Sequence, residues 1–172
     1  MLLNVAYRSI MVTVINAMFG GNGMFEFDYK KYEKDCDNIR ATNKTLLNLF
    51  ENDLADAGLS RKTINRHLAN VDFYINDYLL LEEAHPMEDG VGMVYLFLGD
   101  FFIRKCMWST PATIKSTATS IKKFYKCMLD HGKIKKNEYD YLCADIKDGM
   151  PQWQADCEQF NDPYSENPFD FF

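Results

Sequence analysis

The chain has 172 residues, 47% hydrophobic and 15% aromatic, with 9 glycines and 5 prolines. That is enough for one ordinary domain with a packed core, and too apolar for a disordered protein. The net charge of −6 argues against a nucleic-acid partner until it is divided: residues 1–40 carry 5 basic and 5 acidic side chains, residues 41–150 carry 14 and 15, and residues 151–172 carry none and 5. The acidity therefore sits at the C-terminal end.

Three regions emerge from this division: a leader with a short helix over 1–40, a helical domain over 41–150, and an acidic, aromatic tail over 151–172. The first nineteen residues are apolar but interrupted by Asn4, Arg8, Ser9 and Asn16. That suits neither a signal peptide, which wants its basic residues first, nor a membrane span. Two readings stand: a helix packed on the core or on a partner, or a leader ahead of a start at Met24, after the Gly20–Gly23 breaker.

Five helices are predicted. The first runs over 42–57, with Leu46, Leu47, Phe50 and Leu54 on one stripe and Gly58 as its stop. The second opens at Ser60, a good N-cap, and runs to 81. Its apolar residues Ile64, Leu68, Val71, Ile75 and Tyr78 recur at helical spacing. His85 to Gly92 is a connection. The third spans 92–105 with a broad face of Val94, Tyr95, Leu98, Phe101 and Phe102. The fourth opens at Ser109-Thr110-Pro111, a hydroxyl cap followed by a proline whose missing N–H costs nothing there. It buries Ile114, Ala118, Ile121, Tyr125 and Met128, and Gly132 ends it. A shorter fifth helix follows Asn137, with Tyr141, Leu142 and Ile146 facing inward. The second and fourth helices match at an offset of fifty (Thr63-Ile64 with Thr113-Ile114, Tyr74 with Phe124), so the unit reads as two helical hairpins in a small all-α bundle.

The five cysteines, Cys36, Cys106, Cys127, Cys143 and Cys157, form no CxxC pair and are odd in number. They read as reduced thiols of a cytoplasmic protein, most of them buried, with no metal and no cofactor expected. His67 reads as a satisfied, partly buried histidine. The aromatics Phe73, Tyr74, Tyr78, Phe124 and Tyr125 read as core rather than as a base-stacking platform, and Trp108 as a brace for the turn before the fourth helix.

Cations gather on two helices. Arg61, Lys62, Asn65 and Arg66 lie off the buried stripe at the start of the second helix, where the helix terminus adds partial positive charge. On the fourth, Lys115, Thr119, Lys122, Lys123 and Lys126 lie mostly off the buried face, with Thr113 and Ser116 as small donors. From Lys122 to Lys136 there are six lysines against one acid, Asp130. On pattern alone, solvated helix faces and a phosphate-contacting surface both fit.

The ordered motifs add a resemblance. Gly58-Leu59-Ser60, Thr63-Ile64, Phe73-Tyr74 and Tyr78-Leu79, then Ser109-Thr110-Pro111 with Thr113-Ile114, and Ile121-Lys122-Lys123-Phe124-Tyr125 before a basic turn, resemble the N-terminal core-binding domain of tyrosine recombinases (phage integrases), a SAM-like fold. The resemblance implies a clamp over double-stranded DNA, with the second and fourth helices nearest the duplex. The family's catalytic set of two arginines, a His-x-x-Arg segment and a nucleophilic tyrosine has no counterpart here: none of His67, His85 and His131 opens such a segment. Tyr164 lies among acids, without the cations a phosphoryl-transfer tyrosine needs. The expectation is a non-enzymatic DNA-binding module with no catalytic residues, from a mobile element or accessory to recombination and integration. The alternative is a helical protein–protein interaction module that keeps the fold without binding DNA. No membrane partner is expected. For the tail, covering the fourth helix, docking on a protein partner or a second copy, and a solvated end all remain open.

Overall fold

A computed structural model describes residues 29–170. The expectations for the leader fall largely outside this range. The chain divides into two units, 1–30 and 31–172, and the second carries the helical bundle. The fold is all-α, with no strand among the described residues. No helix among them is long and apolar enough to cross a membrane.

Helix α1 spans Tyr29–Asp56 and starts well before the predicted position. Its first turns are densely charged, and their single core position is Cys36, so no apolar period marks them. Asn43, Leu46, Phe50 and Leu54 continue its inward stripe. The helix ends in a left-handed Gly58 (φ 75°), where Leu59 N–H donates to the Leu54 carbonyl and Gly58 N–H to that of Ala55. These are the paired bonds that close a helix on glycine.

Helix α2 spans Arg61–Asp72, capped by the Ser60 hydroxyl, which accepts from the Thr63 N–H. It widens into a π-helical turn over Phe73–Tyr78. The buried Asn43 amide donates to the Ile75 carbonyl inside this turn (3.1 Å) and to Asn76 Oδ1 (2.8 Å), so both amide protons of this polar core residue are engaged.

Helix α3 is composite: Val94–Leu96, a second π-turn at Phe97–Phe101, and Phe102–Lys105. The two wide turns meet in an aromatic cluster. Ring centroids of Tyr74 and Tyr78 lie 4.7 and 4.8 Å from that of Phe97, and Tyr78 lies 5.0 Å from Phe101. Such tilted pairs contribute beyond their burial; of the predicted core aromatics, Tyr74, Phe124 and Tyr125 are buried, while Phe73 and Tyr78 are half-buried against the core. The connection before α3 is pinned from below: buried Tyr74 and Tyr125 donate their hydroxyls to the carbonyls of Gly90 (2.5 Å) and Met87 (2.7 Å). Trp108 keeps an exposed ring, 6.0 Å from that of Phe73, while its carbonyl accepts from the Thr113 hydroxyl.

Helix α4, Pro111–Asp130, buries all five predicted apolar positions. It packs most closely against α2 on one side and α5 on the other. Its end repeats that of α1: Gly132 takes φ 65°, with Gly132 and Lys133 N–H groups returning to the Leu129 and Met128 carbonyls.

Helix α5 differs most from expectation. It runs over Lys136–Asn161, straight through Pro151, which is exposed. Its inward stripe is Leu142, Ile146, Gly149, Trp153 and Cys157. Tyr141 lies about 100° around the helix from Leu142 and is exposed, correcting its predicted inward position. Residues 151–161, read as tail, thus continue α5, and Trp153 and Cys157 among them join the core. Trp153 is 1% exposed and sits between Gly149 of its own helix and Gly99 of α3, with Tyr95 edge-on at 5.3 Å. In the last turn of α5, Phe160 packs on Phe169 (5.8 Å), and the Arg104 guanidinium lies 5.6 Å from the centre of the Phe169 ring. Asn161 and Gln154 donate to the Ser109 and Pro111 carbonyls. The C-terminal segment therefore docks around the start of α4, away from Lys122–Lys126.

Candidate nucleic-acid interface

The two helices singled out by their cations pack against each other, and a polar seam joins them. Ser120 of α4 donates its hydroxyl to the Ser116 carbonyl (3.0 Å), which uses its single proton. It must therefore accept at its other contacts, from Asn70 Nδ2 (3.0 Å) and from His67 Nδ1 (2.8 Å). With Ser120 accepting, Nδ1 of the buried His67 carries the proton in this contact. Burial lowers the pKa of His67 below the ordinary 6.5, and the positive charges of Arg66 and Lys123 lower it further. One imidazole thus senses a cation from each helix.

From that seam the helical period lays out the rest. Lys62 and Arg66 are one turn apart on the flank of α2 toward α4. On α4, Ser116 and Lys123 border the seam, and Lys115, Thr119, Lys122 and Lys126 form the next stripe outward. Thr119, Lys122, Lys123 and Lys126, with Tyr139 of α5, line a shallow depression. Helices α2 and α4 together carry seven cations against two carboxylates, Asp72 and Asp130. Among the described residues, Lys62, Arg66, Lys115, Lys122 and Lys123 have no carboxylate at ion-pairing distance, whereas Lys126 pairs with Asp130.

Other predicted residues are placed differently. Arg61 pairs with Glu51 of α1, so its charge is engaged on the opposite flank of α2. Asn65 is exposed between the two flanks. Thr113 is spent on the cap of α4: its hydroxyl accepts from the Thr110 N–H (2.8 Å), while its own N–H donates to the Thr110 hydroxyl (3.1 Å). Thr119 returns its hydroxyl proton to the Lys115 carbonyl (2.8 Å), leaving lone pairs outward. Lys136, in the basic turn, pairs with Asp140 at 2.6 Å.

A second cluster escapes sequence reasoning. At the C-terminal end of α4, Cys127 and His131 lie one turn apart, and Asp53 arrives from α1, 78 residues from His131 in sequence. His131 Nε2 lies 3.0 Å from Asp53 Oδ2. Hydrogen bonding from the Cys127 thiol holds the Asp53 carboxyl below its usual range against opposing desolvation, with a bond and charge from His131 lowering it further. Burial first, then the bond and charge of Asp53, push the Cys127 thiol up to about 12. The four-residue Cys-His spacing was the only signal the sequence held for this cluster.

Comparison of the chain with protein-family models, curated proteins and solved structures finds no match.

Proposed function

We propose that the chain is a non-enzymatic, double-stranded-DNA-binding helical module of the tyrosine-recombinase core-binding kind, acting in or beside recombination. The observation that carries this reading is the set of five cations without carboxylate partners among the described residues, Lys62, Arg66, Lys115, Lys122 and Lys123, on the adjoining flanks of α2 and α4. Unpaired cations spread over two packed helices suit a phosphate backbone better than a point ligand, because each exchanges a condensed counterion for a phosphate contact. Seam residues Ser120, His67 and Asn70 are committed to one another, so the contacts would be to phosphates, and sequence selectivity would be modest.

The test is a salt titration of duplex binding by fluorescence anisotropy, comparing wild type with Lys122→Gln/Lys123→Gln/Lys126→Gln. Each lost phosphate contact lowers the slope of log K against log salt by about 0.9. A fall of about 2 is expected, because Lys126 is already paired. Equal affinity and slope for both proteins refutes the reading.

A protein-docking module is the rival. It draws on the exposed apolar side chains of Leu96, Met107 and Trp108, at 60%, 100% and 59%. Absence of duplex binding by wild type, with self-association lost in Met107→Ser/Trp108→Ser by sedimentation, would favour it.

A further inference from the structure

We propose that Asp53, Cys127 and His131 form a binding site for a divalent transition-metal ion of the zinc class, with one coordination position left open. The ligand atoms all lie within 4.8 Å of one another. A tetrahedral ion with bonds of about 2.0–2.3 Å holds its donors roughly 3.3–3.8 Å apart, so a small adjustment closes the set. The donors are one thiol, one imidazole nitrogen and one carboxylate. This mixture selects a borderline ion such as Zn²⁺ over Mg²⁺ or Ca²⁺, which prefer oxygen alone.

Three further features of the fold suit a cation. The last turns of α1 and α4 meet here, and helix C-termini carry partial negative charge. Both turns are locked by left-handed glycines, Gly58 and Gly132, so the donors stand on fixed backbone rather than on a loop. Cys127 is buried while the Asp53 and His131 side chains are each more than a third exposed, giving a dry inner ligand and a solvent-side entry path. The charged groups facing the site are Asp53, His131 and Asp130, the last already paired with Lys126.

Loading balances simply. The Cys127 thiol loses its proton to solvent, its sulfur and the Asp53 carboxylate each give an electron pair to the ion, and neutral His131 gives the Nε2 lone pair. Water takes the fourth position. With two anionic ligands the loaded centre is neutral, so its burial beside the core adds no net charge. The ion would tie the end of α1 to the end of α4. The site stands apart from the nucleic-acid reading and would survive its failure.

The experiment is a Co²⁺ titration of the full-length, metal-stripped protein, with Zn²⁺ displacement, read by absorption. The expected result is one equivalent of Co²⁺ with a thiolate-to-cobalt charge-transfer band and tetrahedral ligand-field bands, bleached by Zn²⁺. Cys127→Ser should abolish the charge-transfer band. His131→Gln and Asp53→Asn, each checked for an unchanged circular-dichroism spectrum, should each weaken binding by at least about tenfold. Cys143→Ser, at a thiol outside the site, should leave the spectrum unchanged. No charge-transfer band in wild type, or a band that survives Cys127→Ser, overturns the proposal. So does an affinity unmoved by both His131→Gln and Asp53→Asn.

Discussion

Replacing Trp153 by alanine separates a core residue from a tail residue. The indole is 1% exposed and fills the slot between Gly99, Gly149 and Tyr95. Truncating a buried tryptophan costs about 3–5 kcal/mol, transfer and cavity terms together. One correction applies. The indole Nε1 is buried without a hydrogen-bond partner, so deleting it relieves about 1 kcal/mol of desolvation penalty. The expected loss is therefore about 3 kcal/mol, a large share of the roughly 5–15 kcal/mol a domain possesses. For a chain of this size that lowers Tm by about 10 °C. Urea unfolding followed by far-ultraviolet circular dichroism gives the comparison, with an unchanged m-value as the sign that only stability moved. Trp153→Phe keeps most of the ring and removes the orphan N–H, so its cost should stay near 1.5 kcal/mol. Tyr164→Ala, at a side chain 96% exposed, should change stability by no more than about 0.5 kcal/mol. A Trp153→Ala cost below about 1 kcal/mol, indistinguishable from Tyr164→Ala, would refute the placement of Trp153 in the core.

Gly99→Ala would set a Cβ 2.5 Å from Trp153 Nε1; a loss of about 1–3 kcal/mol is expected in the same urea assay, and a neutral variant would mean the slot yields. Thr110→Ala removes the hydroxyl half of the α4 capping box and should cost about 1 kcal/mol, with thermal melts as the check. His67 has a folded pKa below its unfolded 6.5, so below that value the unfolded chain binds more protons. Stability is then lost as pH falls through about 6.5 and levels off once the folded pKa is passed. His67→Gln should flatten this dependence below about pH 6.5, whereas parallel stability curves for the two proteins would show that His67 does not carry it.

The all-α class, the α2 and α4 stripes, both caps and the glycine stops were legible because each has a local cause. Apolar residues recur at the helical period, a hydroxyl precedes a first turn, or a glycine occupies a left-handed position. What was not legible had non-local causes. The first turns of α1 show little periodicity because charged residues surround the single core position at Cys36. The predicted helical domain ends at residue 150, yet the helix continues through Pro151, one missing N–H being tolerated when Trp153 and Cys157 gain burial beyond it. Tyr141 was misplaced because the α5 stripe is anchored by Gly149 and Trp153, further along than the reading extended. For the interface, one-dimensional counting could locate the cations of α2 and α4. It could not tell that Arg61 faces Glu51, that Thr113 is consumed by its cap, or that Arg66 and Lys123 share a histidine. The Asp53 contact with His131 depends wholly on how α1 meets α4, which no local pattern encodes.

The Trp153 slot also constrains how this sequence can drift. Gly99 and Gly149 are held small by one side chain, and that side chain is held large by two empty Cβ positions. None of the three can change freely alone: a methyl on either glycine collides with the indole, and a smaller ring leaves a void. Together they can change, since a lesser residue at 153 would release both glycines toward alanine, the better helix former. Divergence at these positions should therefore arrive as linked pairs or triplets, and combined substitutions should be strongly non-additive. That linkage makes the triplet a compact fingerprint by which distant carriers of this fold could be recognised.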